Sequence, residues 1–113
     1  MEIVQREIGE IVILDISGEI NLFNAPEIKE IIDNLVQAKK IRLVVNLQKV
    51  NFIDSSGLGA LISGLTVLKK QEGGLRIINI TKNVQKTFEL TNLTSFFGIF
   101  DSEEAAIASY KES

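Results

Sequence analysis

One short stretch concentrates side chains that can do chemistry: Asp54-Ser55-Ser56-Gly57-Leu58-Gly59, directly after the apolar Val50-Asn51-Phe52-Ile53. Two adjacent hydroxyls follow a carboxylate where an extended run gives way to a helical pattern. Asp and Ser in such a place cap a helix by accepting hydrogen bonds from its unpaired N–H groups. The same place suits a phosphoacceptor serine, because a helix N-terminus stabilises negative charge through its dipole and its free donors. The two roles are compatible.

Other chemistries fit the spacing less well. Gly57-Leu58-Gly59 is followed by Ala60-Leu61-Ile62, so the third glycine of a dinucleotide fingerprint is missing, and no Gly-Lys-Ser/Thr loop exists for a nucleoside triphosphate. A phosphoacceptor aspartate at Asp54 needs a neighbouring acidic pair to hold a divalent cation. Asp15 and Glu19 are separated acids and supply no such pair. The runs Glu27-Glu30-Asp33 and Glu103-Glu104 read as solvated helix faces. Ala60, Ser63 and Gly64 read as a small-residue face for helix packing, and Phe96-Phe97 as core or sheet-edge cover.

The whole composition narrows the field further. The 113 residues include no histidine and no cysteine. That removes Cys–His nucleophiles, disulfides and the usual zinc and iron–sulfur sites, leaving oxygen-only cation sites open. With 12 basic and 15 acidic side chains the formal charge is −3, which lacks the basic footprint of nucleic-acid binding. The longest uncharged run, Ser55–Leu68, is shorter than the ~20 residues of a membrane span. The opening Met-Glu-Ile-Val-Gln-Arg-Glu has no basic region leading into an apolar block. The expectation is a soluble, cytoplasmic chain with no membrane span and no cofactor.

The elements that must position the Asp54 stretch follow from patterning. Ile3–Arg6 and Ile11–Ser17 read as a strand pair about Gly9-Glu10, the second strand nearly continuous in apolar residues and ended by Gly18. A helix follows, with Asn24 as cap, Pro26 in its first turn and Glu27 completing a capping box. Its stripe is Ile28, Ile31, Ile32, Leu35 and Val36, with Lys39 and Lys40 at its negative end. Leu43–Leu47 reads as a buried strand parallel to the second. Leu58, Leu61, Ile62, Leu65 and Leu68 mark a second helix closed by Gly73-Gly74. Leu75–Ile80, Val84–Leu93, Ile99-Phe100 and Ser102–Tyr110 read as strand, helix, edge strand and terminal helix. Alternation of this kind predicts an α/β domain with helices on a mixed sheet.

Over nearly its whole length the sequence resembles the STAS family, specifically the small bacterial anti-sigma factor antagonists. Gly18-Glu19-Ile20 is similar to the family's turn after its second strand, Val50–Gly59 to its signature, and Phe88-Glu89-Leu90-Thr91-Asn92-Leu93 to its C-terminal helix end. The resemblance implies a single STAS domain over residues 1–113, with a mixed sheet of four to five strands and about four α-helices. It implies a non-catalytic regulator in which Ser55, or less typically Ser56, is phosphorylated. The implied kinase is an anti-sigma factor that uses Mg-ATP; the unmodified protein binds that kinase and frees the sigma factor. Phosphorylation ends binding, and a metal-dependent serine/threonine phosphatase restores it. Asn21, Asp54, Ser55, Ser56, Gly57, Leu58 and Gly59 are the implied partner-binding residues. Two positions depart from the family pattern: Asn21, usually acidic, and Asn92, often glycine. Alternatives are a non-phosphorylated STAS accessory or scaffold subunit of a transporter or signalling assembly, and a nucleotide- or lipid-sensing module.

Overall fold

The first two strands form a hairpin whose register runs from Glu2↔Ser17 to Ile8↔Ile11 across Gly9-Glu10. Gly9 supplies the positive φ of 59° that this two-residue turn requires. In the computed structural model, which describes residues 1–111, β1 (Glu2–Ile8) and β2 (Ile11–Ile20) lead into α1 (Ala25–Gln37), β3 (Arg42–Ile53) and α2 (Ser55–Lys70). Then come β4 (Gly74–Ile78), α3 (Lys82–Leu90), β5 (Gly98–Phe100) and α4 (Glu103–Lys111). The sheet order is β1-β2-β3-β4-β5, antiparallel only between β1 and β2. Among the described residues this is the expected mixed α/β sheet, with five strands and four helices.

Alternation along β2 divides the core between two faces. Val12, Leu14 and Ile16 pack with Leu43, Val45 and Leu47 under α1, α2 and α3, whereas Ile11, Ile13, Val44 and Ile78 pack under α4. The helix stripes land as patterned: Ile28, Ile32 and Leu35 of α1 and Leu58, Leu61, Leu65 and Leu68 of α2 are buried. Each such side chain contributes about 1.5–3 kcal/mol on burial. Gly64 lets α1 and α2 approach, since a Cβ there would lie 2.5 Å from the Ile32 Cδ1. Phe97 is buried against Phe88, with ring centroids 5.6 Å apart, while Phe96 stays exposed. No helix among the described residues is long and apolar enough to cross a membrane.

Several boundaries differ from the sequence reading, each for a local reason. Gly18 does not end β2. Register shifts at Asp15/Ser17 and Gly18/Glu19, with Gly18 at φ 97°, absorb a bulge, and pairing continues to Ile20↔Ile53. β3 likewise runs on from Leu47 to Ile53, so the strand delivers Asp54 directly. Lys39 and Lys40 lie beyond the last turn of α1; Lys39 takes a left-handed conformation at φ 62° and Lys40 pairs with Glu7. Gly73 is not the left-handed residue after α2. Glu72 holds that position at φ 66°, and Gly73 is small because the Ile41 carbonyl passes against it. β4 stops at Ile78 where Asn79 turns to φ 57°, and α3 runs from Lys82 to Leu90 with Asn92 left-handed at φ 59°.

On the α4 face Arg6, Asp15, Asn46 and Glu103 form one network. Arg6 donates from Nε to Asp15 Oδ2 at 2.6 Å and from Nη2 to Glu103 Oε1 at 2.7 Å. Asn46 donates to Asp15 Oδ1 at 2.9 Å. The Arg6 hydrogen bond holds the Asp15 carboxyl below its ordinary range, and the two acids raise the Arg6 guanidinium. Tyr110 donates its hydroxyl to the Leu43 carbonyl at 2.6 Å, and burial pushes its pKa up to about 12.

Candidate functional site

Asp54 leaves β3 with extended backbone (φ −98°, ψ −177°) and caps α2. Its Oδ1 accepts from the Gly57 N–H at 2.9 Å and its carbonyl from the Leu58 N–H at 3.0 Å. Its Oδ2 accepts from the Leu22 N–H at 3.0 Å, and its own N–H donates to the Ile20 carbonyl at 3.1 Å. One carboxylate therefore ties the first turn of α2 to the β2–α1 loop. The cap predicted from sequence is present, and it has a second client that the sequence did not announce.

Ser55 is the first residue of α2 and is exposed; Ser56 is half-buried. N–H groups at the first two helical positions have no intrahelical acceptor, so the dipole and free donors meet solvent beside the Ser55 hydroxyl. Gly57 and Leu58 point inward. A Cβ on Gly57 would lie 2.6 Å from Ile20 Cγ2 and 2.7 Å from Ile53 Cγ1, and Leu58 is only 2% exposed. Their contribution is to seat the turn on the sheet so that Ser55 faces out. Gly59 is exposed, with nothing within 4 Å of where a Cβ would stand.

Asn21 lies in the adjoining loop and shapes it. Its Oδ1 accepts from the Phe23 N–H at 3.0 Å, and its N–H donates to Asn24 Oδ1 at 2.9 Å. Asn24 donates from Nδ2 to the Glu19 carbonyl at 2.9 Å. The capping box with Glu27 does not form, because the Asn24 side chain faces back into the loop instead of toward α1. The acids once weighed as a cation pair are apart: Asp15 joins Arg6 and Asn46 on the α4 face, and Glu19 is exposed at the end of β2. Among the described residues no group of three or more acids gathers as a metal site.

This loop holds what the sequence reading missed. It displays Leu22 at 64% and Phe23 at 90% exposure, with Phe52 also exposed. The signal was available as two large apolar residues between Gly18 and Pro26 that belong to neither a strand alternation nor a helix stripe. Beside them an open groove of about 470 Å³ runs between α1 and α2. Leu22, Ala25, Pro26 and Lys29 form one wall; Ser56, Gly59, Ala60 and Ser63 form the other. The small-residue face is thus divided, Gly64 packing inward while Ala60 and Ser63 line the groove.

Asp54→Ala is expected to cost about 1–2 kcal/mol, the usual loss of an N-cap, in chemical denaturation. It also frees the Leu22 amide, whose hydrogen exchange should accelerate more than that of core amides.

The fold and sequence have known counterparts. A family model for the STAS domain matches residues 2–106. The chain is 29% identical over 94 residues to the anti-sigma-B factor antagonist of Bacillus subtilis (strain 168), covering 83% of this chain and 85% of that one. An anti-sigma factor antagonist from Mycobacterium paratuberculosis superposes with a TM-score of 0.85 at 24% identity, over 96% of this chain and 92% of that one. The anti-sigma factor antagonist SpoIIAA in its unphosphorylated form gives 0.76 at 20% identity, over 97% and 98% of the two chains. Its phosphorylated form gives 0.74 at 21%, over 96% and 99%.

Proposed function

This chain belongs to the STAS domain family, and on that premise we propose that it is an anti-sigma factor antagonist switched by phosphorylation of Ser55. The observation that carries the reading is the exposed Ser55 at the start of α2, beside a carboxylate already engaged as cap and loop tether. The names of the B. subtilis relative and of SpoIIAA, which exists in both phosphorylation states, support the same reading.

The unmodified protein docks an anti-sigma factor serine kinase with this end of the molecule and so releases the sigma factor. Leu22 and Phe23 supply apolar anchors beside the acceptor, and the α1–α2 groove widens the docking surface. The kinase transfers the γ-phosphoryl group of Mg-ATP to the Ser55 oxygen: the new P–O bond forms as the bond to the ADP oxygen breaks, ADP leaves, and the hydroxyl proton is released. A serine/threonine phosphatase hydrolyses the ester and resets the switch. Phosphorylation moves the net charge from −3 to roughly −5. The helix terminus favours an exposed anion by about 0.3–1 kcal/mol, so the scaffold tolerates the group. A docked interface fitted to a neutral hydroxyl does not.

The test is incubation with the cognate kinase and ATP, followed by intact mass and fragmentation. One phosphoryl group on Ser55, retained in Ser56→Ala and lost in Ser55→Ala, is the expected result; modification that persists in Ser55→Ala overturns the assignment. A second measurement addresses the anchors. Phe23→Ser should weaken kinase binding by about ten- to a hundredfold, the range of an exposed aromatic hot spot. Its melting temperature should stay within about a degree or two of the parent, since Phe23 is 90% exposed and surface substitutions away from packed features usually change stability little.

A further inference from the structure

Among the described residues the five-stranded sheet ends on one side at β1, which pairs only with β2. Ile8↔Ile11 closes the hairpin across a two-residue turn, and such a closing pair exchanges both main-chain hydrogen bonds. Alternation then turns the N–H and C=O groups of Ile3, Gln5 and Glu7 toward the open side. On the α4 face of this edge Val4 is 51% exposed and Glu2 is exposed. Arg6 is oriented by Asp15 and Glu103 through Nε and Nη2, and none of these three bonds uses Nη1.

We propose that β1 is a homodimer edge, pairing antiparallel with β1 of a second copy about a two-fold axis at Val4 and joining two sheets into one. Self-complementarity selects that register. Centred on Val4, the two Val4 side chains face each other and each Glu2 stands opposite the other copy's Arg6. Ile3 and Gln5 exchange main-chain bonds across the junction. Centring on Gln5 sets Arg6 opposite Val4 and Glu7 opposite Ile3, with no charge matched. Centring on Arg6 sets two guanidinium groups face to face. The Val4 and Glu2–Arg6 pairs fall at non-hydrogen-bonded positions, where cross-strand side chains come closest. The opposite edge, β5, is only three residues long and offers no comparable row.

Sedimentation velocity on the full chain, from low micromolar to near-millimolar concentration, tests the proposal. The wild type should pass reversibly from monomer to dimer. Glu2→Arg places like charges opposite each other at both ends of the junction and should weaken the dimer about tenfold or more. Gln5→Pro removes an outward N–H while leaving every bond to β2 in place, and should be monomeric throughout. Circular dichroism melts of both variants check that the domain remains folded. A wild type that stays monomeric over the whole range, or a dimer unchanged in both variants, overturns the assignment.

Discussion

Ser55→Asp is expected to bind the cognate anti-sigma kinase about a hundredfold more weakly than the wild type, while Ser55→Ala stays within a fewfold of it. Both effects follow from the position of Ser55 as the first, exposed residue of α2. A carboxylate in the first turn interacts favourably with the helix dipole, by about 0.3–1 kcal/mol, so Ser55→Asp should melt at or slightly above the wild-type temperature. Under the proposed docking the same charge would be enclosed without a counter-ion, and a like-charge or unpaired placement in an interface costs several kcal/mol. At about 1.4 kcal/mol per tenfold, a hundredfold loss needs only about 2.8 kcal/mol, within that cost. Isothermal titration paired with thermal melts reads both quantities. Affinity and stability moving in opposite directions is the signature; equal affinities for the two variants would remove the charge mechanism. The phosphoserine itself, carrying about twice the charge, should lose more than Ser55→Asp does.

The second large effect concerns stability. Gly73→Ala should lower it by about 3 kcal/mol, an overpacking cost at the upper end of the usual range. A Cβ there would sit 2.1 Å from the Ile41 carbonyl oxygen and 2.6 Å from the Ile41 Cβ. The carbonyl cannot withdraw freely, because it accepts the Gly74 N–H at 2.9 Å just where β3 and β4 begin to pair at Arg42↔Gly74. The clash is with backbone, so no rotamer change relieves it. A domain of this size should lose about 10–20 °C in melting temperature. Gly59→Ala is the control. That position is exposed and open, and alanine should gain up to about 1 kcal/mol of helix propensity. Scanning calorimetry of the pair separates close approach from a general intolerance of glycine replacement.

The fold was legible wherever a periodic apolar pattern met a clear terminator. The α1 and α2 stripes, the nearly continuous Ile11–Leu14 run and the Asp54 cap were all readable, since burial and capping leave their marks within a few neighbouring residues. Features set by tertiary contact were not. Gly18 resembles a strand end until its pairing with Val50 is known. Gly73 resembles a helix stop until the Ile41 carbonyl is placed against it. Asn24 has the residue type and spacing of a cap, yet the loop outbids α1 for its side chain. The Asp54 cap and the placement of Ser55 at a helix start were readable because carboxylate and hydroxyl are chemically conspicuous at the end of an apolar run. The exposure of Leu22 and Phe23 was not readable, because whether an apolar residue is covered is decided by tertiary contact.

The Asp54 carboxylate fastens the first turn of α2 and the apolar loop to each other by main-chain amides alone, so it holds Leu22 in place without reading its side chain. Side chains at 22 and 23 can therefore change without loosening the turn that presents Ser55. Under the proposed switching role, pathway insulation among several such proteins in one cell would then be written in two loop residues, and cross-talk would track their similarity more closely than that of the chains as wholes.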